Sequence, residues 1–205
     1  MKRLPVDFSR LRTQRSRRNE LPLNIKPNLR QAQLSGLPLS DAVVCFSSRQ
    51  IVDLECFRPQ VLIGSVEDLQ RTAERASLGI ADLSSVDYAV LALSPVGEAP
   101  ISDKFRVFLW QTFGVPVFEL VTGPNGAVLA ADCEAHEGWH LQRNASAAIF
   151  DGELQILQKG QQPIRTRLTC EIETKPCPCG RDTPRIANVQ LRSRANSLNM
   201  LAASA

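Results

Sequence analysis

Between Ala42 and Val121 short apolar runs alternate with stretches of helical period, and that alternation limits the possible folds more than any other feature of the chain. Ala42-Val43-Val44-Cys45-Phe46 and Gln60-Val61-Leu62-Ile63 read as strands, closed by Ser47-Ser48 and by Gly64. Ser65, with Asp68 three residues on, signals a helix start, and Leu69, Ala73 and Ala76 then recur on one face as far as Leu78-Gly79. Asp87 to Leu93 is a third strand whose nearly continuous apolar run suits a sheet covered on both faces. Ser102 is placed to cap a helix carrying Phe105, Phe108, Leu109 and Phe113, with Gly114 as its stop and Pro116 barring its resumption. Val115 to Val121 is the fourth strand. Strands and helices alternating at these lengths predict a partial parallel sheet with right-handed crossover helices.

Beyond Val121 the texture changes. Thr122-Gly123-Pro124-Asn125-Gly126 is turn chemistry, and short runs follow at 127–131, 139–142, 147–150, 153–157 and 164–168. Asp151-Gly152 is a type I′ hairpin signal. The expectation is a small antiparallel β subdomain, which would be marginal without a staple. Cys133-Glu134-Ala135-His136 and Pro176-Cys177-Pro178-Cys179-Gly180-Arg181 supply one. Proline fixes φ and glycine admits positive φ, so the second segment can curl and aim both sulfurs at one point. Cys133, His136, Cys177 and Cys179 then form the donor set of a closed, structural zinc site. The alternatives are buried cysteines acting as small apolar residues, His136 as an ordinary surface imidazole, and Cys170 or His140 as rival ligands. A disulfide is a further rival. It is disfavoured by the absence of a visible signal peptide, which implies a reducing, cytoplasmic setting.

The apolar fraction of 43% in 205 residues supports one core with a small appendage. No apolar run approaches membrane-spanning length, so no membrane partner is expected. The net charge of +3 is uneven: through Glu20, seven basic residues stand against Asp7 and Glu20, which leaves +5 there and −2 in the remainder. The predicted organisation is a basic, flexible arm at 1–40, an α/β core at 41–124, the zinc-stapled β subdomain at 125–186, and a C-terminal tail at 187–205. A basic arm is one route to nucleic acid, although aromatic interleaving is lacking beyond Phe8.

Val115-Pro116-Val117-Phe118-Glu119-Leu120, the Cys133 to His140 segment (CEAHEGWH) and the Pro176 to Ile186 segment (PCPCGRDTPRI) together resemble the phenylacetate-CoA ligase family. The likeness covers about residues 40 to 200 and is sharpest in the last two segments. It implies an adenylate-forming enzyme fold, many of whose members carry zinc on a Cys-x-x-His and a Cys-x-Cys pair between these motifs. It also implies a nucleotide slot. Gly97-Glu98-Ala99 resembles the adenine-side loop, Arg165-Thr166-Arg167-Leu168-Thr169-Cys170 the segment whose aspartate holds the ribose, and Arg194 the hinge arginine. Gly97, Glu98, Ala99, Arg167 and Arg194 are therefore the candidate ATP or AMP contacts.

Several of these matches are worn. Val121-Thr122-Gly123-Pro124 lacks the family's glutamate, and Cys170 stands where the ribose carboxylate would be. A thiol accepts hydrogen bonds far less well than a carboxylate, a loss of roughly 1.5–3 kcal/mol for a charged acceptor. The expectation is a zinc-binding, ligase-like domain without adenylation of its own, working as a binding or assembly module in a homo-oligomer or beside a complementary subunit. The first alternative is one subunit of a split, ATP-dependent acyl-CoA ligase. The second is a nucleic-acid-binding zinc protein.

Overall fold

The computed structural model describes Ile25 and residues 28–192 apart from 37, 48 and 144. The basic arm as far as residue 24, and Arg194, lie outside the described residues. The chain divides into two compact units, one formed by residues up to Ser94 together with Ile101–Val128, the other by Pro95–Pro100 and Leu129 onward.

The first unit contains β1 (Gln31–Leu34), β2 (Val43–Phe46), α1 (Ile51–Phe57), β3 (Val61–Ser65), α2 (Val66–Ser77), β4 (Ala89–Pro95), α3 (Asp103–Phe113) and β5 (Val117–Thr122). Its strands lie in the order β2-β1-β3-β4-β5, and β1 runs parallel to both neighbours, as β3 does to β4. The expected α/β class with a largely parallel sheet is what the chain adopts. β3, β4 and β5 are buried along almost their whole length, which agrees with their unbroken apolar runs. Leu62, Leu69, Val90, Leu109 and Val117 share one core cluster.

Both helix starts form as the sequence predicts. The Ser65 hydroxyl accepts from the Asp68 amide at 3.2 Å and the Ser102 hydroxyl from the Phe105 amide at 3.2 Å. Gly114, at φ +70°, ends α3 with its amide on the Trp110 carbonyl. Two elements are not evident in the sequence. α1 is short and buries only Leu54. β1 falls inside the segment read as a flexible arm, yet it lies between β2 and β3 with all four residues buried. Its Gln-Ala-Gln-Leu sequence hides it, because Gln33 is a polar side chain buried by local bonding. Gln33 accepts from the Leu39 amide and donates to the Ser35 carbonyl.

The second unit is antiparallel. It contains β6 (Val128–Ala131), β7 (Trp139–Leu141), β8 (Ala145–Phe150), β9 (Glu153–Gln158), β10 (Ile164–Arg165), β11 (Leu168–Glu173) and β12 (Arg185–Leu191). The order β6-β7-β12-β11 makes one layer, and β8-β9-β10 a separate three-stranded sheet. Asp151 and Gly152 both take positive φ, 52° and 75°, as a type I′ turn requires, and the hairpin pairs Phe150 with Glu153. β11 and β12 occupy stretches that the sequence leaves without strands, and β12 runs on into the segment read as tail. A bulge interrupts their pairing between Thr169 and Glu171, with Asn188 on the facing strand at φ 52°.

Candidate metal centre

Two turns and one strand converge in the second unit. The first turn follows β6: the His136 amide bonds to the Cys133 carbonyl at 3.0 Å, and the Ala135 amide points at the Cys133 sulfur. The second is the proline-cysteine segment, where the Gly180 amide bonds to the Cys177 carbonyl at 2.9 Å and Gly180 adopts φ +82°. That geometry needs glycine, and it brings the Cys179 amide to the Cys177 sulfur. The strand is β7, which carries His140 into the interior at 2% exposure.

Cys133, His140, Cys177 and Cys179 place one donor atom each within 4.8 Å of one another. The Cys133 and Cys177 sulfurs are 3.7 Å apart, and the Cys179 sulfur is 3.5 Å from His140 Nε2. A tetrahedral ion with sulfur at about 2.3 Å and nitrogen at about 2.0–2.1 Å would set these separations at about 3.8 and 3.6 Å. A disulfide would bring two sulfurs to about 2.05 Å, and all described cysteines are free. The other ring nitrogen of His140, Nδ1, lies 3.2 Å from the Thr183 carbonyl and 3.1 Å from its hydroxyl. With an ion bound, Nδ1 would donate to that carbonyl and Nε2 would turn its lone pair to the metal.

The imidazole in the cluster is thus His140 rather than His136. Three of the four ligands read from the sequence come together, and the fourth is replaced by the rival seven residues past Cys133. His136 sits at φ 50°, which turns its side chain towards solvent. Its Nδ1 lies 3.8 Å from Asp132 Oδ2, with the side chain 41% exposed. A short Cys-x-x-His spacing suggested one turn. The alternation of Trp139-His140-Leu141, a strand that buries a histidine, was the signal that pointed elsewhere.

The electrostatics separate the thiols. Burial pushes Cys133 up to about 12, with the Cys177 and Cys179 contacts adding to it. At Cys177 burial also opposes ionisation, but the Cys179 amide and the His140, Cys179 and Cys133 side chains outweigh it and bring the thiol down to about 6. One thiolate is therefore ready to receive a cation at neutral pH.

Arg185, at the start of β12, borders the cluster. Its Nη1 is 3.4 Å from the Cys177 sulfur and 2.5 Å from Glu137 Oε2, while its Nε and Nη2 hold Glu173. Those two carboxylates, Glu173 first, raise the guanidinium above its ordinary range. Sequence reasoning passed over this residue, because only the β pairing sets it opposite both His140 and Glu173.

The nucleotide candidates are placed as follows. Gly97, at φ +98°, lies in a turn closed by the Glu98 amide on the Pro95 carbonyl, and Glu98 and Ala99 are exposed. A Cβ on Gly97 would stand 3.9 Å from that of Thr166, the residue before exposed Arg167. Cys170 is half-buried at the β11 bulge, and burial, then the Glu171 charge, push its thiol up. Glu171 accepts from Asn188 Nδ2 at 3.0 Å. Among the described residues no helix is long and apolar enough to cross a membrane.

No family model matches the sequence, and neither does any curated protein. Solved structures do. A 2-hydroxyisobutyryl-CoA ligase in an open conformation, in complex with 2-HIB-AMP and CoA, superposes with a TM-score of 0.65 at 14% identity over 83% of this chain and 46% of that one. The anthranilate CoA ligase AuaEII, in complex with anthranoyl-AMP, gives 0.52 at 8% identity over 78% and 40%. The amide bond synthetase McbA from Marinactinospora thermotolerans gives 0.51 at 16% identity over 78% and 41%. What is shared is the fold. The chain spans less than half the length of these structures.

Proposed function

We propose that this chain is a zinc-binding domain of the adenylate-forming ligase fold, acting as a binding or assembly module without adenylation of its own. The observation that supports it most is the donor set of Cys133, His140, Cys177 and Cys179, three sulfurs and an imidazole within 4.8 Å of one another, two of whose separations, 3.7 and 3.5 Å, match those around a tetrahedral ion. Soft thiolate and imidazole donors in that number suit zinc and leave no position open for substrate, so the ion would have a structural role. Its job would be to hold two turns and β7 of a small antiparallel unit together. The phenylacetate-CoA ligase family is the proposed lineage, on the motifs around Cys133 and Cys177.

The reading without adenylation rests on Cys170. At the position the resemblance gives to a ribose-binding carboxylate stands a half-buried thiol that burial keeps neutral, and it offers no charged acceptor. An assembly role would use β2, at the sheet's edge among the described strands, and the exposed Val107 and Trp110 of α3, in a homo-oligomer or with a complementary subunit. The test is metal analysis of purified protein together with ATP and AMP titrations. One zinc per chain and no ATP-dependent pyrophosphate release are expected, and metal-free protein with an intact second unit would overturn the reading.

One observation favours a second reading, a subunit of a split ATP-dependent ligase. A Cβ on Gly97 would come within 3.9 Å of Thr166, which precedes Arg167, so two segments that the resemblance gives to the nucleotide slot approach each other. AMP binding that weakens on Gly97→Val or Arg167→Ala would support it.

A further inference from the structure

We propose that Arg185 is a positioning residue for the metal centre, its guanidinium holding the Cys177 thiolate by a directed hydrogen bond while the ion is bound. The inference rests on the metal reading above. Three thiolates and a neutral imidazole around a divalent cation leave one surplus negative charge in a site where Cys133 and Cys177 are buried. An uncompensated charge there is costly, and a hydrogen bond from a cation to one sulfur relieves it. Arg185 is the charged donor in place: only 9% exposed, with Nη1 at 3.4 Å from the Cys177 sulfur.

The orientation of the fork is built rather than incidental. Glu173 engages Nε and Nη2 from β11, and Glu137, in the loop before β7, takes Nη1 at 2.5 Å. Both carboxylates hold the guanidinium plane, and one Nη1 hydrogen is directed at sulfur. Register fixes the rest, since Arg185 pairs with Glu173 on one side and with the ligand His140 on the other. A lysine could supply charge at this place but not a fork that reaches sulfur and two carboxylates together.

The rival explanation is that Arg185 only ties β11 to β12 through its ion pairs. The two separate on a readout that ordinary fold stabilisation does not move, the energy of the sulfur-to-metal charge-transfer band of the Co²⁺-loaded protein. A hydrogen bond to sulfur lowers the donor orbital, so its removal shifts that band to longer wavelength. In the full chain, Arg185→Gln is expected to weaken Zn²⁺ binding about 10- to 100-fold in chelator competition and to red-shift the Co²⁺ band. Arg185→Lys is expected to recover part of both effects. Glu173→Gln keeps the guanidinium and all four ligands but frees the fork from its anchor, so it should move both readouts in the same direction by less. It also serves if Arg185→Gln does not fold.

Unchanged Zn²⁺ affinity in Arg185→Gln, or weaker affinity with an unmoved Co²⁺ band, overturns the proposal and leaves the metal centre standing. For a Glu173→Gln protein assayed alone, an unmoved band has the same consequence. Wild-type protein that takes up neither ion overturns both this inference and the metal reading.

Discussion

In the parallel unit, β3, β4 and β5 bury nearly every residue they contain, whereas in the antiparallel unit β9 buries only alternate residues and β8 is mostly exposed. The first unit has a continuous apolar cluster drawn from β1, β2, β3, β4 and β5 and all three helices. The second has fewer large side chains to bury, and at the place where two turns meet β7 it puts sulfur and imidazole instead. On the metal reading proposed above, the contrast is between two ways to hold a chain against its conformational entropy: many small apolar contributions, or a few strong bonds to one ion.

That comparison can be broken most sharply at the metal. Chelation, or Cys177→Ser, should remove a binding energy on the order of 10 kcal/mol from the second unit alone. The chain has two tryptophans, buried Trp139 in the second unit and exposed Trp110 in the first. The emission shift should therefore come from Trp139 and persist in a Trp110→Phe background. The complementary cut is Leu62→Ala, a fully buried position in the apolar cluster. It should cost the first unit about 2–5 kcal/mol in denaturant melts while metal content stays at the wild-type level.

Acid should act on the second unit first. In the metal-free site near neutral pH, Cys177, at about 6, is mostly thiolate, and Cys133, at about 12, is protonated. Metal uptake needs all three sulfurs as thiolates, so the Cys133 proton alone should make affinity fall by at least about tenfold per unit as pH drops from 8 to 6. Below about 6 the fall steepens because Cys177 must lose a proton as well, and titrations at several pH values will read the slope. Smaller effects sharpen the assignment. Ser102→Ala removes the cap of α3 and should cost the first unit about 1 kcal/mol in thermal melts. His136→Ala should shift stability by no more than about 0.5 kcal/mol and leave metal content unchanged, whereas His140→Ala should lose metal.

The chain by itself determined what local physics can decide. Apolar runs flanked by Ser65, Ser102 and Gly114 specified the parallel strands and three helix boundaries. The Asp151-Gly152 pair specified the hairpin, and the Pro-Cys-Pro-Cys-Gly turn specified two sulfurs on one curl. These features act over a few residues, so the order of amino acids is enough to reveal them. Only the tertiary structure decided what depends on partners far along the chain. Gln31–Leu34 becomes an inner strand because β2 and β3 close on it, and β11 and β12 exist through each other. His140 outranks His136 because β7 carries it inward beside β12, while a left-handed residue in the preceding turn sends the nearer imidazole out to solvent.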